Sequence, residues 1–458
     1  MTRFIRVFAA IALLGAANTA AAQDAIAERY RGTADRLIAA AIGDSAAFAR
    51  LTLLTDAFGH RFSGSESLER AIDWILAEMR ADSLENVRGE PVMVPRWVRG
   101  HESLRLLSPR PRSLPMLGLG GSIATPPEGI TGDVLVVGSF DELRERSDEA
   151  RGKIVLFDVP FTNYGQTVAY RANGAIEAAR AGAVASLVRS VTPYSQQTPH
   201  TGGMRYDSAV TRIPHAAITV EDALMMRRMQ ERGERVRVTL TMSARTLPDA
   251  QSRNVVAELR GSELPDEVVV LGGHIDSWDV GTGAMDDAGG SVAAWEAVKL
   301  MKRLGLRPRR TVRVVLWTNE ENGLRGANAY RDAHRAELDG HVLAIESDAG
   351  VFRPSGFNFT GSDSAFALVR SIGSLLAPIG ADTITRPGGG ADIGPLMALG
   401  VPGMGLAVDG TRYFWYHHTD ADTIDKLDPA EVAKCVAALA VMAYIVADLP
   451  EPLPRAAR

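Results

Sequence analysis

The chain has 458 residues, of which 46% are hydrophobic and 23% charged, and its 50 basic and 55 acidic side chains give a formal net charge of −5. This balance is typical of a soluble globular protein and excludes a collagen, a coiled coil and a disordered chain. Cys435 is the only cysteine, so no internal disulfide is available, and its apolar helical surroundings predict a small core residue. The slight acidity gives no electrostatic reason to expect nucleic acid as a partner.

The first 22 residues have the pattern of a secretory signal peptide. Arg3 and Arg6 precede an apolar run over residues 7–17, and the alanines at 20–22 offer an A-x-A cleavage site. This run is too short to span a bilayer of about 30 Å, and we expect no later stretch to be apolar over enough residues to span one. We therefore predict a signal peptide over 1–22 and export to the periplasm or the medium. The alternative is an N-terminal core helix.

Two irregular segments divide the mature chain. Residues 108–115 are rich in proline, and residues 243–253 are polar and show no clear period. Between these segments, short β-branched strands bounded by glycine accompany one helix, which favours a compact insert. We predict a discontinuous larger domain over 23–109 and 246–458, and a smaller inserted domain over 110–245.

Apolar strands alternate with amphipathic helices in the second half of the chain. The pattern predicts strands over 267–271, 311–317 and 341–345, with helices over 291–304 and 326–334 between them. Apolar strands that alternate with helices are typical of a sheet covered on both faces. We therefore predict an α/β fold with a mixed, mostly parallel central sheet flanked by helices.

Acidic and histidine side chains follow the ends of these predicted strands. His274 and Asp276 follow the first strand. Glu320 and Glu321 follow the second, and Asp348 follows the third. Because functional groups in open α/β sheets gather beyond the carboxyl ends of the strands, we expect these side chains to meet. Carboxylates gathered in one place are costly unless cations compensate their charge, so the pattern predicts a metal site.

The donor set fits two zinc ions that share one carboxylate. Imidazole nitrogen and carboxylate oxygen are suitable zinc ligands, and a catalytic site keeps one position open for water. We predict that Asp286 bridges the two ions and that His274 and Asp348 complete one site. Glu321 and His418 are predicted to complete the other site. Cobalt and manganese also accept such nitrogen and oxygen ligands.

Two further side chains are predicted to assist the chemistry. Asp276 lies two residues beyond His274, and we expect its carboxylate to accept a hydrogen bond from that imidazole and orient it. Glu320 precedes the predicted ligand Glu321 and is expected to act as general base, taking a proton from a water that zinc makes acidic and passing it to the leaving amine. The alternative for Glu320 is a solvated surface carboxylate.

Four longer runs of sequence add to this prediction: His274–Asp287, Asn319–Glu321, Glu346–Gly350 and Tyr413–His418. They resemble the co-catalytic zinc aminopeptidase family, and in particular its carboxypeptidase Q (plasma glutamate carboxypeptidase) subgroup. The resemblance covers nearly the whole mature chain and includes all five predicted ligands, as well as Glu320 and Asp276. Of the two adjacent histidines, only His418 has the family's His-Thr-x-x-Asp-Thr continuation, which leaves His417 near the substrate.

The resemblance also carries expectations about domains and substrates. It implies a protease-associated domain in segment 110–245, a homodimer, and hydrolysis of dipeptides or other short unblocked peptides. His417 is expected to bind substrate. The aromatic side chains of the run Tyr413, Phe414, Trp415 and Tyr416 are expected to wall the pocket unless they belong to the core. Asp392 follows a run of three glycines that is predicted to form a substrate loop.

Two alternatives keep this architecture and change the function. A single-zinc glutaminyl cyclase-like enzyme dispenses with one metal's ligands, and the presence of both His274 and Asp348 argues against it. A receptor-like binding module has degraded metal positions, whereas the set in this chain is intact.

Overall fold

The computed structural model describes residues 26–456, so the predicted signal peptide over 1–22 lies outside the described residues. The strands of the described chain build two sheets of eight strands each. In chain order they are β1 (Glu85–Val98), β2 (Glu102–Ser108), β3 (Arg112–Leu114), β4 (Met116–Gly118), β5 (Ile130–Val137), β6 (Ile154–Phe157), β7 (Ala185–Arg189), β8 (His215–Ile218), β9 (Arg237–Met242), β10 (Arg245–Leu259), β11 (Leu264–His274), β12 (Arg310–Trp317), β13 (His341–Glu346), β14 (Pro354–Thr360), β15 (Thr383–Thr385) and β16 (Gly403–Val408).

The α-helices cover the sheets. In chain order they are α1 (Ile26–Ile42), α2 (Ala46–Phe58), α3 (Glu66–Ala81), α4 (Phe140–Glu145), α5 (Ser147–Ala150), α6 (Tyr164–Arg180), α7 (Val220–Glu231), α8 (Gly289–Arg303), α9 (Arg325–Ala333), α10 (Asp363–Gly373), α11 (Gly394–Met397), α12 (Tyr413–Tyr416) and α13 (Pro429–Asp448).

The first sheet is mixed, with a parallel centre. Its strand order is β1-β10-β12-β11-β13-β16-β14-β15. Strands β12, β11, β13 and β16 run parallel to one another, whereas β1, β10 and β14 join in antiparallel pairs. Every residue of β12 and β13 is buried, which explains the consecutive apolar residues 314–317 and 342–345. The predicted α/β fold with a mixed, helix-flanked sheet is confirmed, and the parallel strands all end at the same edge.

Helix α13 packs beneath this sheet, against α8, α2 and α10. It is the one single helix of the described residues that is long and apolar enough to cross a membrane, with a mean hydropathy of 1.9, and 83% of that window is buried. The prediction that no later stretch has this length and composition is therefore wrong. A helix surrounded by protein needs no polar face, which is the physical reason for its apolarity. Cys435 lies in α13 and is fully buried, as predicted.

The second sheet is built by a segment inserted between two paired strands of the first. Its order is β3-β2-β9-β5-β6-β7-β8-β4, in which β5 to β8 run parallel. The chain leaves the first sheet at Val98 and re-enters it at Arg245, and these two residues face each other in the β1–β10 pair. Because β2 starts at Glu102, this segment begins before the predicted boundary at 110. Its longest helix, α6, begins where Asn163 Oδ1 accepts a hydrogen bond from the Gln166 N–H.

Candidate metal centre

The five side chains predicted as metal ligands lie together at the carboxyl edge of the first sheet. His274 Nε2 lies 3.2 Å from Asp286 Oδ1 and 3.3 Å from Asp348 Oδ1. His418 Nε2 lies 3.1 Å from Glu321 Oε2 and 3.4 Å from Asp286 Oδ2. The two oxygens of Asp286 therefore face two different pairs, each made of one histidine and one carboxylate.

These distances fit zinc. Bonds of about 2.0–2.1 Å in a tetrahedral site place neighbouring ligand atoms about 3.3 Å apart, which matches the distances from each histidine nitrogen to its two carboxylate oxygens. Three buried carboxylate oxygens, Asp286 Oδ2, Glu321 Oε1 and Asp348 Oδ1, accept no hydrogen bond from the described residues. Buried carboxylates without donors are costly unless they bind a cation, so the residues present fit a metal centre.

The electrostatics of the cluster also fit a bound cation. Burial, reinforced by neighbouring carboxylates, raises the pKa of Glu321 and of Asp348, and it raises the pKa of Glu320 to about 8. Burial lowers the pKa of His274, but Asp348 and Asp286 outweigh this effect and hold the pKa well above its ordinary value. A proton on His274 therefore offsets the negative charge of the neighbouring carboxylates. A bound cation offsets the same charge.

The imidazole of His274 is oriented by the main chain of Asp276. Its Nδ1 donates a hydrogen bond to the Asp276 carbonyl at 2.9 Å, whereas the nearest carboxylate oxygen of Asp276 lies 3.8 Å away. The expectation that the Asp276 side chain accepts this bond is therefore corrected. The physical reason is that the side chain turns toward the loop after β12, where it has better donors. The bond to the carbonyl leaves Nε2 of His274 facing the cluster.

The carboxylate of Asp276 holds the loop that carries the two glutamates. It accepts hydrogen bonds from the N–H groups of Glu320 at 3.1 Å and Glu321 at 3.4 Å, and from the Ser63 hydroxyl at 3.2 Å. Burial raises its pKa, and these three bonds partly offset that shift. Asp276 thus fixes both His274 and the Glu320–Glu321 loop.

Two other buried aspartates position Asp286. Asp422 accepts hydrogen bonds from the N–H groups of Met285 at 2.8 Å and Asp286 at 3.2 Å, and burial raises its pKa to about 7. Asp287 accepts hydrogen bonds from the N–H groups of His274 and Gly290, both at 3.0 Å. The turn that presents Asp286 is therefore held from both sides by carboxylates outside the metal cluster.

His418 is held by the inserted segment. Its Nδ1 donates to the carbonyl of Thr201 at 3.2 Å, and the Thr201 N–H donates to the His418 carbonyl at 3.0 Å. His417 stacks on His418 with ring centroids 3.5 Å apart. His417 Nε2 lies 3.6 Å from Asp286 Oδ2, but only His418 also reaches Glu321. The geometry thus favours His418 over His417 as the metal-facing histidine.

A cavity of about 520 Å³ opens over the cluster. Glu320 lines it, and so do His417 and Tyr413, two of the residues predicted to bind substrate. His417 and Tyr413 share one face of the turn at α12 because they are four residues apart. Tyr416 does not line the cavity: it packs against the core and against the ammonium of Lys426.

Asp392 also stays outside the cavity, so the prediction that it contacts substrate is corrected. It is 1% exposed, and both carboxylate oxygens lack a hydrogen bond within the described chain. Its neighbours Ala391 and Ile393 donate their N–H groups to Glu346, both at 2.8 Å, and this clamp turns the Asp392 side chain inward.

Phe414, which belongs to the aromatic run expected to wall the pocket, lines the cavity. Tyr164 and Arg171 also line it, and neither was expected from the sequence. Tyr164 and Arg171 belong to α6 of the inserted segment, far from the other site residues in the chain, and no local pattern marks them.

A sheet with a parallel centre, whose strands end at buried histidines and carboxylates beside a cavity, is typical of an α/β enzyme with a metal site. Residues 254–443 match the model of peptidase family M28. Carboxypeptidase Q of Bos taurus is 51% identical over 408 residues, which are 89% of this chain and 86% of that protein. The chain therefore belongs to peptidase family M28, is a zinc-dependent peptidase, and is similar to carboxypeptidase Q, which confirms the resemblance seen in the sequence.

Solved structures agree with this assignment. The peptidase M28 precursor from Shewanella amazonensis SB2B superposes with a TM-score of 0.91 at 36% identity, covering 94% of this chain and 100% of that chain. BSAP, a zinc aminopeptidase from Bacillus subtilis, superposes with a TM-score of 0.66 at 20% identity, covering 87% of this chain and 93% of that chain. An identity of 20% supports only a similarity of fold between this chain and BSAP.

Proposed function

We propose that this chain is a dizinc metallopeptidase that hydrolyses dipeptides and other short unblocked peptides, with Glu320 as general base. The observation that carries the proposal is the division of the Asp286 carboxylate: its two oxygens face separate histidine–carboxylate pairs 3.2–3.4 Å away. A carboxylate in this position suits two cations that share it.

The residues divide into two ligand groups. His274 and Asp348 would hold one ion, Glu321 and His418 would hold the other, and Asp286 lies between the two groups and would serve both. Bound zinc supplies a Lewis acid that polarises a peptide carbonyl and a field that makes water more acidic. Asp286 supports this role because its main-chain position is fixed by Asp422.

Glu320 moves the proton. It lines the cavity beside Glu321 and Asp348, and its backbone is held by Asp276. When water adds to the peptide carbonyl, Glu320 accepts a proton from that water and then donates it to the leaving nitrogen, so that the C–N bond breaks and a carboxylate and an amine are released. General acid–base catalysis of this kind contributes about 10²–10⁴-fold to a rate.

The test combines metal analysis with substitution of the base. Zinc-loaded protein is expected to hold two ions per chain and to hydrolyse dipeptides. The Glu320→Gln variant is expected to keep both ions while kcat falls by about 10²–10⁴-fold. Glu78→Gln, at a partly exposed position on α3, serves as the matched control. Full dipeptide hydrolysis by Glu320→Gln would remove the proposed base, and one zinc per chain with cyclase activity alone favours the glutaminyl cyclase-like alternative.

We also propose that the chain is exported and that the signal peptide is cleaved after Ala22, as the A-x-A pattern suggests. Mass spectrometry of the protein from its native host tests this: a mature chain that starts at Gln23 is expected, and a retained Met1 contradicts it.

A further inference from the structure

One buried arginine beside the metal centre has no acidic partner. Arg171 lies on α6 of the inserted segment, is 6% exposed, and lines the cavity over the metal cluster. Its Nη2 donates to the Tyr164 hydroxyl at 2.8 Å, and its Nη1 donates to the Thr201 carbonyl at 3.4 Å. Its Nε has no acceptor, and none of the described carboxylates forms an ion pair with it. A guanidinium has five N–H donors, so most of the donor capacity of Arg171 is unused.

Each of the other buried arginines of the described chain has either a carboxylate partner or a set of main-chain carbonyls, although Nε of Arg189 also lacks an acceptor. Arg61 donates to four main-chain carbonyls, those of Gly59, Ile275, Thr282 and Gly283. The other three pair with carboxylates: Arg189 with Asp158, Arg310 with Glu267, and Arg313 with Glu258. Buried charges are ordinarily paired or fully hydrogen-bonded, and Arg171 is the one buried arginine of the described residues that has neither a carboxylate nor a set of carbonyls, which indicates that an anion outside the chain completes it.

The location of Arg171 limits what that anion is. Its Nη1 lies 3.4 Å from His418 Nδ1, so the guanidinium is separated from Glu321 and Asp286 by one imidazole ring. Among the described residues that line the cavity, Arg171 is the only arginine or lysine, and the remaining formal charges are carboxylates of the metal cluster. The guanidinium of Arg171 packs directly against Gly202, where only a glycine leaves room for it, because a Cβ at that position falls 2.3 Å from Arg171 Cζ. The guanidinium thus provides an anion subsite next to the reacting centre.

The covalent geometry of a peptide identifies a matching group. In a dipeptide, the terminal carboxylate carbon is only three bonds from the carbonyl carbon of the peptide bond, which puts it within about 4 Å. In a longer or amidated peptide, an uncharged amide occupies the same place. A guanidinium next to the metal centre therefore distinguishes these substrates by charge.

We propose that Arg171 and Tyr164 form the subsite that binds the free carboxylate of a dipeptide, on the leaving side of the hydrolysed bond. Arg171 donates two parallel hydrogen bonds to the carboxylate. Tyr164 receives a hydrogen bond from Arg171 and directs its own hydroxyl hydrogen, which has no acceptor within the described residues, to the same group. This assignment rests on the proposed peptidase function and makes the inserted segment the part of the chain that selects dipeptides.

The experiment compares two substrates that differ only in this charge, alanyl-alanine and alanyl-alaninamide. The zinc-loaded wild-type protein is expected to have the higher kcat/KM with the free acid. Arg171→Gln is expected to lower kcat/KM for alanyl-alanine by about 10- to 100-fold more than it lowers kcat/KM for alanyl-alaninamide, because the lost hydrogen bonds to the free acid join charged groups. Arg171→Lys is expected to retain part of the preference, and Tyr164→Phe to lose less than Arg171→Gln.

Controls separate this subsite from a general defect. Arg205→Gln changes an exposed arginine of the same inserted segment and is expected to alter neither rate. Zinc content and thermal unfolding are measured for each variant, and Arg171→Lys carries the test if Arg171→Gln does not fold. Equal losses with both substrates, or a wild-type protein that does not distinguish them, overturns the subsite. A zinc-loaded wild-type protein that hydrolyses neither compound overturns the peptidase proposal itself, and the subsite with it.

Discussion

Asp276 accepts a hydrogen bond at 3.1 Å from the main-chain N–H of Glu320, across 44 residues of sequence. Its own main-chain carbonyl accepts the bond from His274. One residue thus joins the loop after β11 to the loop after β12 and sets the positions of a predicted metal ligand and of the predicted base. The consequence is that the metal cluster depends on a residue that does not itself face the cavity.

Asp276→Asn tests this dependence. The amide keeps the size of the side chain but presents N–H donors where the loop offers its own N–H groups, so one acceptor is lost. We expect the zinc affinity to fall by about 10- to 100-fold, as for other residues that orient metal ligands. Competition with a coloured chelator measures the affinity, and dipeptide hydrolysis at saturating zinc measures the remaining activity.

A suitable control for this change is Asp73→Asn, which alters an exposed carboxylate that pairs with Arg253 at the surface. This variant is expected to bind zinc as the wild-type protein does. Unchanged zinc affinity in Asp276→Asn contradicts the positioning role.

The metal-facing residues are predictable from the sequence because each belongs to a local pattern. His274 and Glu321 follow apolar runs that mark the ends of buried strands, and parallel strands end at one edge. The contacts that hold these side chains in place are harder to predict from the sequence. Thr201 and Arg171 lie 217 and 247 residues from His418 in the chain, and only the packing of the insert against the first domain brings them together. No periodic pattern in a single sequence predicts that the insert packs against the first domain in this way.

The sequence also does not predict how individual side chains are oriented. The motif His274-x-Asp276 suggests a carboxylate–imidazole bond, but a carbonyl of the same residue serves equally well as acceptor. Similarly, the one-turn helix α12 decides that Tyr413 faces the cavity and Tyr416 the core. A turn of four residues has too short a pattern to predict which side faces the substrate.

The division of Asp286 between two ligand groups predicts different zinc counts for two variants. Asp348→Ala removes a carboxylate from one group only, so the count is expected to fall from two ions per chain to one. Asp286→Ala removes an oxygen from both groups, and we expect both ions to bind weakly enough to be lost on dialysis. Elemental analysis after dialysis against trace zinc gives the counts. Two ions retained by Asp348→Ala would show that the groups are divided differently.

His334 predicts a pH dependence of stability away from the metal centre. Its ring nitrogens lie 3.0 Å from carboxylate oxygens of Glu90 and Glu337. Burial lowers the pKa of His334, but Glu90 outweighs it and the net pKa is raised; burial raises the pKa of Glu90, but His334 outweighs it and the net pKa is lowered. A raised histidine pKa stabilises the fold below about pH 6.5, and this contribution is lost as the pH rises through the folded-state pKa.

His334→Gln is therefore expected to lower the free energy of unfolding by about 1–3 kcal/mol near pH 6, with a smaller difference toward pH 9. Urea unfolding of the variant and the wild type at each pH measures this difference in the free energy of unfolding. The pH dependence of zinc binding is common to both proteins and cancels in the difference. His101→Gln, at an exposed position, is the control. A difference that does not change with pH shows that the charge of His334 contributes nothing.

We predict that the contact between Gly120 and Trp278 couples the inserted segment to His418. A Cβ at Gly120 falls 2.1 Å from Trp278 Cη2, and that indole is 2% exposed, packs against Phe62, and lies 5.5 Å from the His418 ring. The added methyl must move a confined ring, which costs about 1–3 kcal/mol. Gly120→Ala is therefore expected to lower the unfolding free energy by that amount and to weaken zinc binding, measured by urea unfolding and chelator competition.

The matched control for Gly120→Ala is Gly32→Ala, at an exposed position within α1 where a Cβ meets no atom within 4 Å. Alanine is the better helix former, so this variant is expected to gain about 0.5–1 kcal/mol and to bind zinc normally. The two substitutions add the same methyl group with opposite expected signs, because one position is open and the other is filled by Trp278. Normal zinc affinity in a destabilised Gly120→Ala would show that Trp278 supports the domain interface without holding His418.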